Sequence, residues 1–305
     1  MILCCGEALI DMIPDQNGAF VPHPGGAVFN TAIGLGRQGM DVGLLSGVST
    51  DLFGQVLVAS LEDSDVTIDH LIRSDRPTTL AFVTLSNGTA SYAFYDENTA
   101  GRMLLSKDLP RALPERIDAL FFGGISLAVE PCANFYLAVL KENAAERLVM
   151  LDPNIRPQFI QDEGRYRERL GQILEHTDIL KVSDEDLNWI DPTEADLNYK
   201  VQKILKRGPK IVCLTLGAIG VKLFSGEGLI AQAAPTPVDV VDTVGAGDAF
   251  NAGFLTSLSR SNHKPKAVIE SKSAAELKNA IDFATAFASD TVERQGSNPA
   301  WNFKP

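Results

Sequence analysis

The chain has 305 residues, of which 45% are hydrophobic and 22% charged, and a net charge of −12. That is ample for a buried core in one large domain or two, and the acidic balance without a Lys/Arg run argues against a nucleic-acid surface. No apolar run reaches membrane-spanning length, and Met-Ile-Leu-Cys-Cys-Gly-Glu has no basic n-region, so a secretory signal is not expected. The reading is a soluble, cytoplasmic, globular protein. Cys4, Cys5, Cys132 and Cys213 lack metal-ligand spacing and read as free thiols in a reducing compartment.

Ile2 to Cys5 is a short apolar run ending at Gly6, which predicts a buried first strand. The next segment interleaves charge with apolar residues and puts Asp11 at a strand end, as a turn acid or a ligand-binding one. Gly25-Gly26 precedes a helix-like stretch through Thr31, so backbone there can approach a small ligand, with Asn30 one turn in. Gly34-Leu-Gly-Arg-Gln-Gly39 matches the dinucleotide fingerprint literally. The match is rejected, because that motif follows a strand and opens a helix. Here the helix comes before it and a strand, Val42 to Val48, after it. These glycines are expected to close the helix.

Thr78 to Leu85 and Ala90 to Tyr95 are strand-like, and Asn87-Gly88 between them is a hairpin signal. A hairpin among βα units suggests a small second sheet, such as a lid. Alternation then resumes. Strands are expected at Ile117 to Phe122, Leu148 to Leu151, Ile179 to Val182 and Ile211 to Leu216. The helices between and after them are Ala133 to Asn143, Arg165 to His176 and Ala195 to Lys206. Val221 to Phe224 and Leu229 to Ala233 suggest another hairpin. Ser257 to Ser273 reads as a surface helix–loop insert, Ala274 to Ala288 as a helix, and Arg294 to Pro299 as a loop. The pattern implies a doubly wound, mostly parallel α/β sheet flanked by helices. Ligands of such sheets bind beyond the carboxyl ends of the strands. Asp11, Asp152, Asn154, Asp186, Thr215 and Asp248 all follow strands, which points to one composite site.

The chain is organised around Val238 to Leu255. Val238 to Val241 reads as a buried strand and Ala249 to Leu258 as a helix, with Asp242-Thr-Val-Gly-Ala-Gly-Asp248 between them. Backbone N–H groups at such a helix start attract an anion such as phosphate. Gly245, Ala246 and Gly247 leave the approach open. Asp248 is either an N-cap or a base that takes a proton from a hydroxyl attacking phosphorus, and the residues alone leave both open. The Walker A pattern, a metal-spaced His pair and a Gly-x-Ser-x-Gly elbow are all absent from the sequence. Phosphoryl transfer to a hydroxyl is the chemistry that fits.

Asp242 to Leu255 resembles the C-terminal signature of the ribokinase-like (PfkB) carbohydrate kinases, and Gly25-Gly26-Ala-Val-Phe-Asn30 resembles their N-terminal motif. Asp11, Asp152-Pro-Asn-Ile-Arg156 and Thr215-Leu-Gly-x-x-Gly220 fall in the family's order, so the likeness spans the chain. It implies an ATP-dependent sugar kinase of ribokinase-like fold. Asp248 becomes the general base, with an anion hole at Gly245, Ala246, Gly247 and the Asp248 N–H. Asp11, Gly25, Gly26, Asn30, Tyr95, Asn154 and Arg156 become sugar contacts. Ser183, Thr215, Gly217, Gly220, Gly245 and Gly247 become nucleotide contacts. Residues 10–24 and 74–101 would form a β lid on a body of residues 1–9, 25–73 and 102–305, and in many relatives this lid pairs two subunits.

Two departures bear on the cofactors. The family's Asn-x-x-Glu, tied to magnesium, is Ser183-Asp-Glu-Asp186 here, and the shorter Asp186 implies Mg²⁺ contact through water. Potassium is possible by the resemblance, but the final loop, Gly296-Ser-Asn-Pro-Ala300, argues against it. Asp-Pro-Asn-x-Arg and Phe-Tyr-x-x-x-x-Ala are most similar to the fructokinase branch. Sugar-acid kinases usually carry Arg after the lid tyrosine, and Tyr95-Asp96 stands there in this chain. The expectation is fructose as acceptor. The alternatives are 2-keto-3-deoxygluconate or another sugar or nucleoside, and, from a different class, a sugar-binding regulator without turnover.

Overall fold

A computed structural model describes the whole chain except residues 87, 88, 261–264 and 272. In chain order the strands are β1 (Ile2–Cys5), β2 (Leu9–Pro14), β3 (Phe20–Gly25), β4 (Val42–Leu45), β5 (Gly47–Ser49), β6 (Ile72–Ser74), β7 (Leu80–Ser86), β8 (Thr89–Tyr95), β9 (Ala119–Gly123), β10 (Leu148–Asp152), β11 (Ile179–Ser183), β12 (Ile211–Thr215), β13 (Val221–Ser225) and β14 (Gly228–Ala233). The helices are α1 (Ala27–Arg37), α2 (Leu52–Glu62), α3 (Cys132–Asn143), α4 (Glu163–Glu175), α5 (Asp184–Ile190), α6 (Leu197–Leu205), α7 (Ala246–Ser259), α8 (Pro265–Ser271) and α9 (Ala274–Thr291).

Eight strands form the main sheet in the order β14-β13-β12-β11-β10-β9-β1-β4. All its neighbours are parallel except the β12–β13 and β13–β14 pairs. The parallel strands are buried on both faces, which is why they read as unbroken apolar runs. Alternate residues serve two cores. Ile179 belongs to the core that α1, α2, α7, α8 and α9 complete on one face, and Leu180 and Val182 to the core that α3, α4, α5 and α6 complete on the other. From β1 the chain moves out one way to β4, and from β9 it moves out the other way. The order therefore reverses between β1 and β9, and a crevice opens beyond their carboxyl ends.

A second sheet, β3-β2-β7-β8, stands over that crevice. It is the small sheet expected from the hairpin pattern, although the Asn87-Gly88 turn lies outside the described residues. Asp11 is within β2, opposite His23 and Ala81, not at a strand end. A second expectation also fails. Val238 to Val241 is not a buried strand: it joins no sheet, with Val240 61% and Val241 64% exposed. The run is apolar because Val238 and Val240 line a cavity. Of the three glycines expected to close α1, only Gly39, with φ +71°, does so. Gly34 and Gly36 lie inside the helix, where a Cβ would meet Ala252 at 2.7 Å and the Ser64 carbonyl oxygen at 2.0 Å. The expected insert at Ser257 to Ser273 is in part the buried end of α7 and in part α8, whose Ile269 is fully buried.

Candidate active site

Two cavities meet beyond the strand ends. The smaller, about 350 Å³, lies at the β1/β9 crevice beneath the lid sheet. The larger, about 690 Å³, lies beyond β11 and β12. Both are of small-molecule size, within the usual range of about 300–1,000 Å³. Thr243 and Gly247 line both, so the Gly-rich turn is the wall through which one cavity communicates with the other.

That turn is built by its sequence. Asp242 accepts the Val244 N–H at 3.0 Å and the Gly296 N–H at 2.9 Å, which ties it to the last loop. Gly245 is the N-cap of α7 at φ +80°, and a Cβ there would come within 2.2 Å of Ser297 Oγ, so only glycine fits. The N–H groups of Gly247 and Asp248 are at the helix start and have no intrahelical acceptor. Because Gly245 holds the cap position, the N-cap reading of Asp248 is excluded. Its carboxylate instead turns to the smaller cavity, where Oδ2 accepts from Asn30 Nδ2 at 2.9 Å. Burial pushes its pKa up to about 7, and Asn30 partly opposes this. It is poised to take a proton near neutral pH.

Asp11, Gly26, Asn30, Asn154 and Arg156 line the smaller cavity, together with Gly245, Gly247 and Asp248. Gly25 does not line it, but a Cβ there would come within 2.1 Å of Asp11 Oδ2, so its bareness lets the carboxylate lie across it. Burial, with Glu7 nearby, raises the Asp11 pKa to about 6. Tyr95 is 63% exposed, packs edge-on against Phe82 and lies outside the cavity; its neighbour Phe94 lines it instead. Asp96 does not face the cavity either. It is buried in a two-pronged ion pair with Arg102 Nη1 at 3.0 and 3.2 Å.

Sequence reasoning passed over two charged lining residues. Glu7 follows β1, and its carboxylate accepts the N–H of Ala27 at 3.1 Å and of Ser126 at 3.2 Å. It thereby fastens the Gly25-Gly26 turn to the loop after β9. Lys181 is buried in β11 and paired with Asp152 at 2.9 Å.

Ser183, Thr215, Gly217 and Gly220 line the larger cavity, with Ala246 and Gly247 at its inner end. Its outer wall is apolar, with Pro235, Pro237, Val238, Val240 and Val292 suited to an aromatic base. Ser183 caps α5, its Oγ accepting the Asp186 N–H at 3.0 Å. Asp186 lines neither cavity. Its Oδ1 accepts the Ile155 N–H at 3.1 Å, and burial raises its pKa to about 6. Among the described residues no cluster of three or more acids, histidines or cysteines could hold a metal ion. A dedicated metal cage does not fit this site, whereas a magnesium ion carried on substrate phosphates would need none.

An acceptor-sized polar cavity, a buried carboxylate and a larger cavity with an apolar wall, joined at a helix N-terminus, are the parts that phosphoryl transfer to a hydroxyl requires. Comparison with known proteins agrees. The pfkB family carbohydrate kinase profile matches residues 1–303. A fructokinase from Rhizobium leguminosarum bv. trifolii is 44% identical over 286 residues, covering 92% of this chain and 87% of that protein. A fructokinase with bound ATP from Xylella fastidiosa superposes with a TM-score of 0.90 at 28% identity, covering 97% of this chain and 93% of that one. An aminoimidazole riboside kinase from Salmonella enterica, complexed with aminoimidazole riboside and an ATP analog, gives 0.82 at 25% identity, covering 97% and 94%. The chain belongs to the pfkB family of carbohydrate kinases, and its fold is ribokinase-like. No helix among the described residues is long and apolar enough to cross a membrane.

Proposed function

We propose that the protein transfers the γ-phosphoryl group of ATP to fructose, giving fructose 6-phosphate. The observation that carries the choice of acceptor is the charge of the smaller cavity. Four acids, Glu7, Asp11, Asp152 and Asp248, line it against two cations, Arg156 and Lys181. Burial already raises the pKa of Asp11 to about 6 and of Asp248 to about 7, so a further anion would drive both toward protonation. Lys181 is paired with Asp152, and Arg156 Nη1 donates to the Ile155 carbonyl oxygen at 3.1 Å. A chamber with this balance favours a neutral polyol over a sugar acid.

In this reading Asp11, Asn30 and Asn154 hold sugar hydroxyls. Asp248 removes the proton of the attacking hydroxyl, and the N–H groups at Gly245 to Asp248 receive the moving phosphoryl group. ATP occupies the larger cavity with its base against Val238 and Val240; a magnesium ion carried on its phosphates would supply charge neutralisation, and Asp186, which lines neither cavity, would reach it only through water. The lid sheet of residues 10–24 and 74–101 closes over the sugar and excludes water as a competing acceptor. Phe20, Val21 and Tyr95, exposed on that sheet, support its pairing with a second copy. Four buried free thiols suit the reducing cytoplasm.

The test is ADP release with Mg-ATP and, separately, fructose, 2-keto-3-deoxygluconate, ribose and aminoimidazole riboside, with the product identified by phosphorus NMR. Potassium and sodium buffers are run in parallel. Turnover with fructose to the 6-phosphate is expected. Turnover confined to the sugar acid would overturn the charge argument and favour a role for Arg156 as its counter-ion. Tight sugar binding without turnover of any acceptor would make the protein a regulator.

A further inference from the structure

Strand β11 reads Ile179-Leu-Lys-Val-Ser183, and its one charged side chain lies in the middle of a sheet, between β10 and β12. A lysine there survives only if its ammonium is satisfied. Lys181 Nζ donates to Asp152 Oδ2 at 2.9 Å, with the two side chains 8% and 3% exposed. Asn251 of α7 donates to the same oxygen at 2.8 Å, fixing the acceptor from a second element. The ammonium has three hydrogens, and Asp152 takes one of them. Nζ also lies 3.1 Å from the point where a Cβ on Gly247 would stand. Gly247 belongs to the wall between the two cavities, and Lys181 itself lines the smaller one. The ammonium is therefore under the passage through which a phosphoryl group would move.

The charge balance gives that position a purpose. An incoming phosphoryl group is anionic, and it enters a chamber with four acids and two cations. Backbone dipoles at one helix start face that whole excess. We infer that Lys181 is a further catalytic residue of the phosphoryl transfer, its ammonium contacting the group in flight while Asp152 and Asn251 hold it in place. The acceptor oxygen forms its bond to phosphorus as the bond to the ADP oxygen breaks. The hydroxyl proton goes to Asp248, and Lys181 keeps its protons throughout. This assignment rests on the kinase reading above.

A lysine present only to neutralise Asp152 would be dispensable once Asp152 is neutral. The test is the double variant Lys181→Met/Asp152→Asn, which removes both buried charges and leaves neither unpaired. Asp152→Asn alone and wild type are the controls, at saturating substrates. A fall in kcat of roughly 10²- to 10³-fold in the double variant is expected, the usual loss of one transition-state charge stabiliser. Asp152→Asn alone should lose no more than about tenfold. A double variant within threefold of wild type overturns the assignment. Repeating the series at pH 9 separates contact from indirect action. A loss that persists there supports contact. A loss that vanishes overturns it, because Lys181 would then act only by keeping Asp248 ionised. The acceptor used is whichever one wild type turns over, so the wrong sugar does not count against the lysine. Absence of wild-type turnover with every acceptor would sink the kinase reading and this assignment together.

Discussion

Replacing Asp248 with asparagine should inactivate the protein and also stabilise it. The two shapes match, and an asparagine carbonyl oxygen can still accept from Asn30. The charge does not survive. In the folded chain the Asp248 carboxyl ionises at about 7 in place of its ordinary 3.8, chiefly because it is buried. The unfolded chain loses that proton near 3.8, so between these values wild-type folding must take up a proton. Its stability therefore falls as pH rises from about 4 to 7 and levels off above, where burying the carboxylate costs on the order of 4 kcal/mol. The variant has no such cost. Its unfolding midpoint should exceed that of wild type by an increment that is smallest at pH 5, grows to pH 7 and is constant beyond. At roughly 2 °C or more per kcal/mol for a chain of this size, calorimetry resolves even a third of the effect. In the same series wild-type kcat/KM should rise with pH through a midpoint near 7, since only the ionised form is a base. The variant should keep a flat residual two to four orders of magnitude lower. A stability difference that is independent of pH, or of opposite sign, would refute the claim that the base is held against its own ionisation. Such trading of stability for a reactive group is common at functional sites.

Gly25→Ala puts a methyl group where Asp11 Oδ2 now lies, at 2.1 Å, so the carboxylate must move. The KM for fructose should rise about tenfold or more, the equivalent of one lost charge-assisted hydrogen bond, while the KM for ATP changes less than twofold. Glu7→Gln keeps the shape but offers one acceptor to two N–H donors, Ala27 and Ser126. One donor is left unpaired, which loosens the Gly25-Gly26 turn, to be read as a raised KM for the sugar with little change in the KM for ATP. Val240→Asp places a negative charge in the wall of the larger cavity, where the proposed function puts ATP. About 1 kcal/mol of repulsion at a solvated surface predicts a roughly fivefold higher KM for ATP, with the KM for fructose unmoved.

The main sheet was legible because each of its parallel strands is covered on both faces, so the apolar run and its terminating Gly or Asp stand out. Other elements obey different rules. β3 contains Pro22 and Pro24, which argue against a strand, yet it is the edge of the lid sheet, where a missing N–H breaks no ladder. α2 shows no clean apolar stripe, since Leu52 is 72% exposed while Leu57 and Leu61 are buried. Val238 to Val241 has the composition of a strand, but its apolar surface serves a cavity. Periodicity cannot distinguish side chains buried by the protein from side chains that wait for a ligand.

The same limit applied to the site. Residues in a recognisable turn, from Asp242 to Asp248, were found by local chemistry. Glu7 and Lys181 were not, although each carried a signal: a charge immediately after or within an otherwise buried apolar strand. The sense of that signal depends on partners remote in sequence, Ser126 for Glu7 and Asp152 for Lys181. Asp96 marks the opposite error. Its place after Tyr95 suggested an acid facing the substrate, and that suggestion favoured a neutral sugar. In the fold Asp96 and Arg102 neutralise each other at the base of the lid, away from the cavity. The preference for a neutral acceptor therefore rests on different residues from those first held to support it. It follows from the excess of acids on the cavity wall, of which Glu7 is held by backbone donors and Asp152 by Lys181 and Asn251. A carboxylate in the acceptor would have to displace one of these anchored groups, whereas a hydroxyl can donate to them.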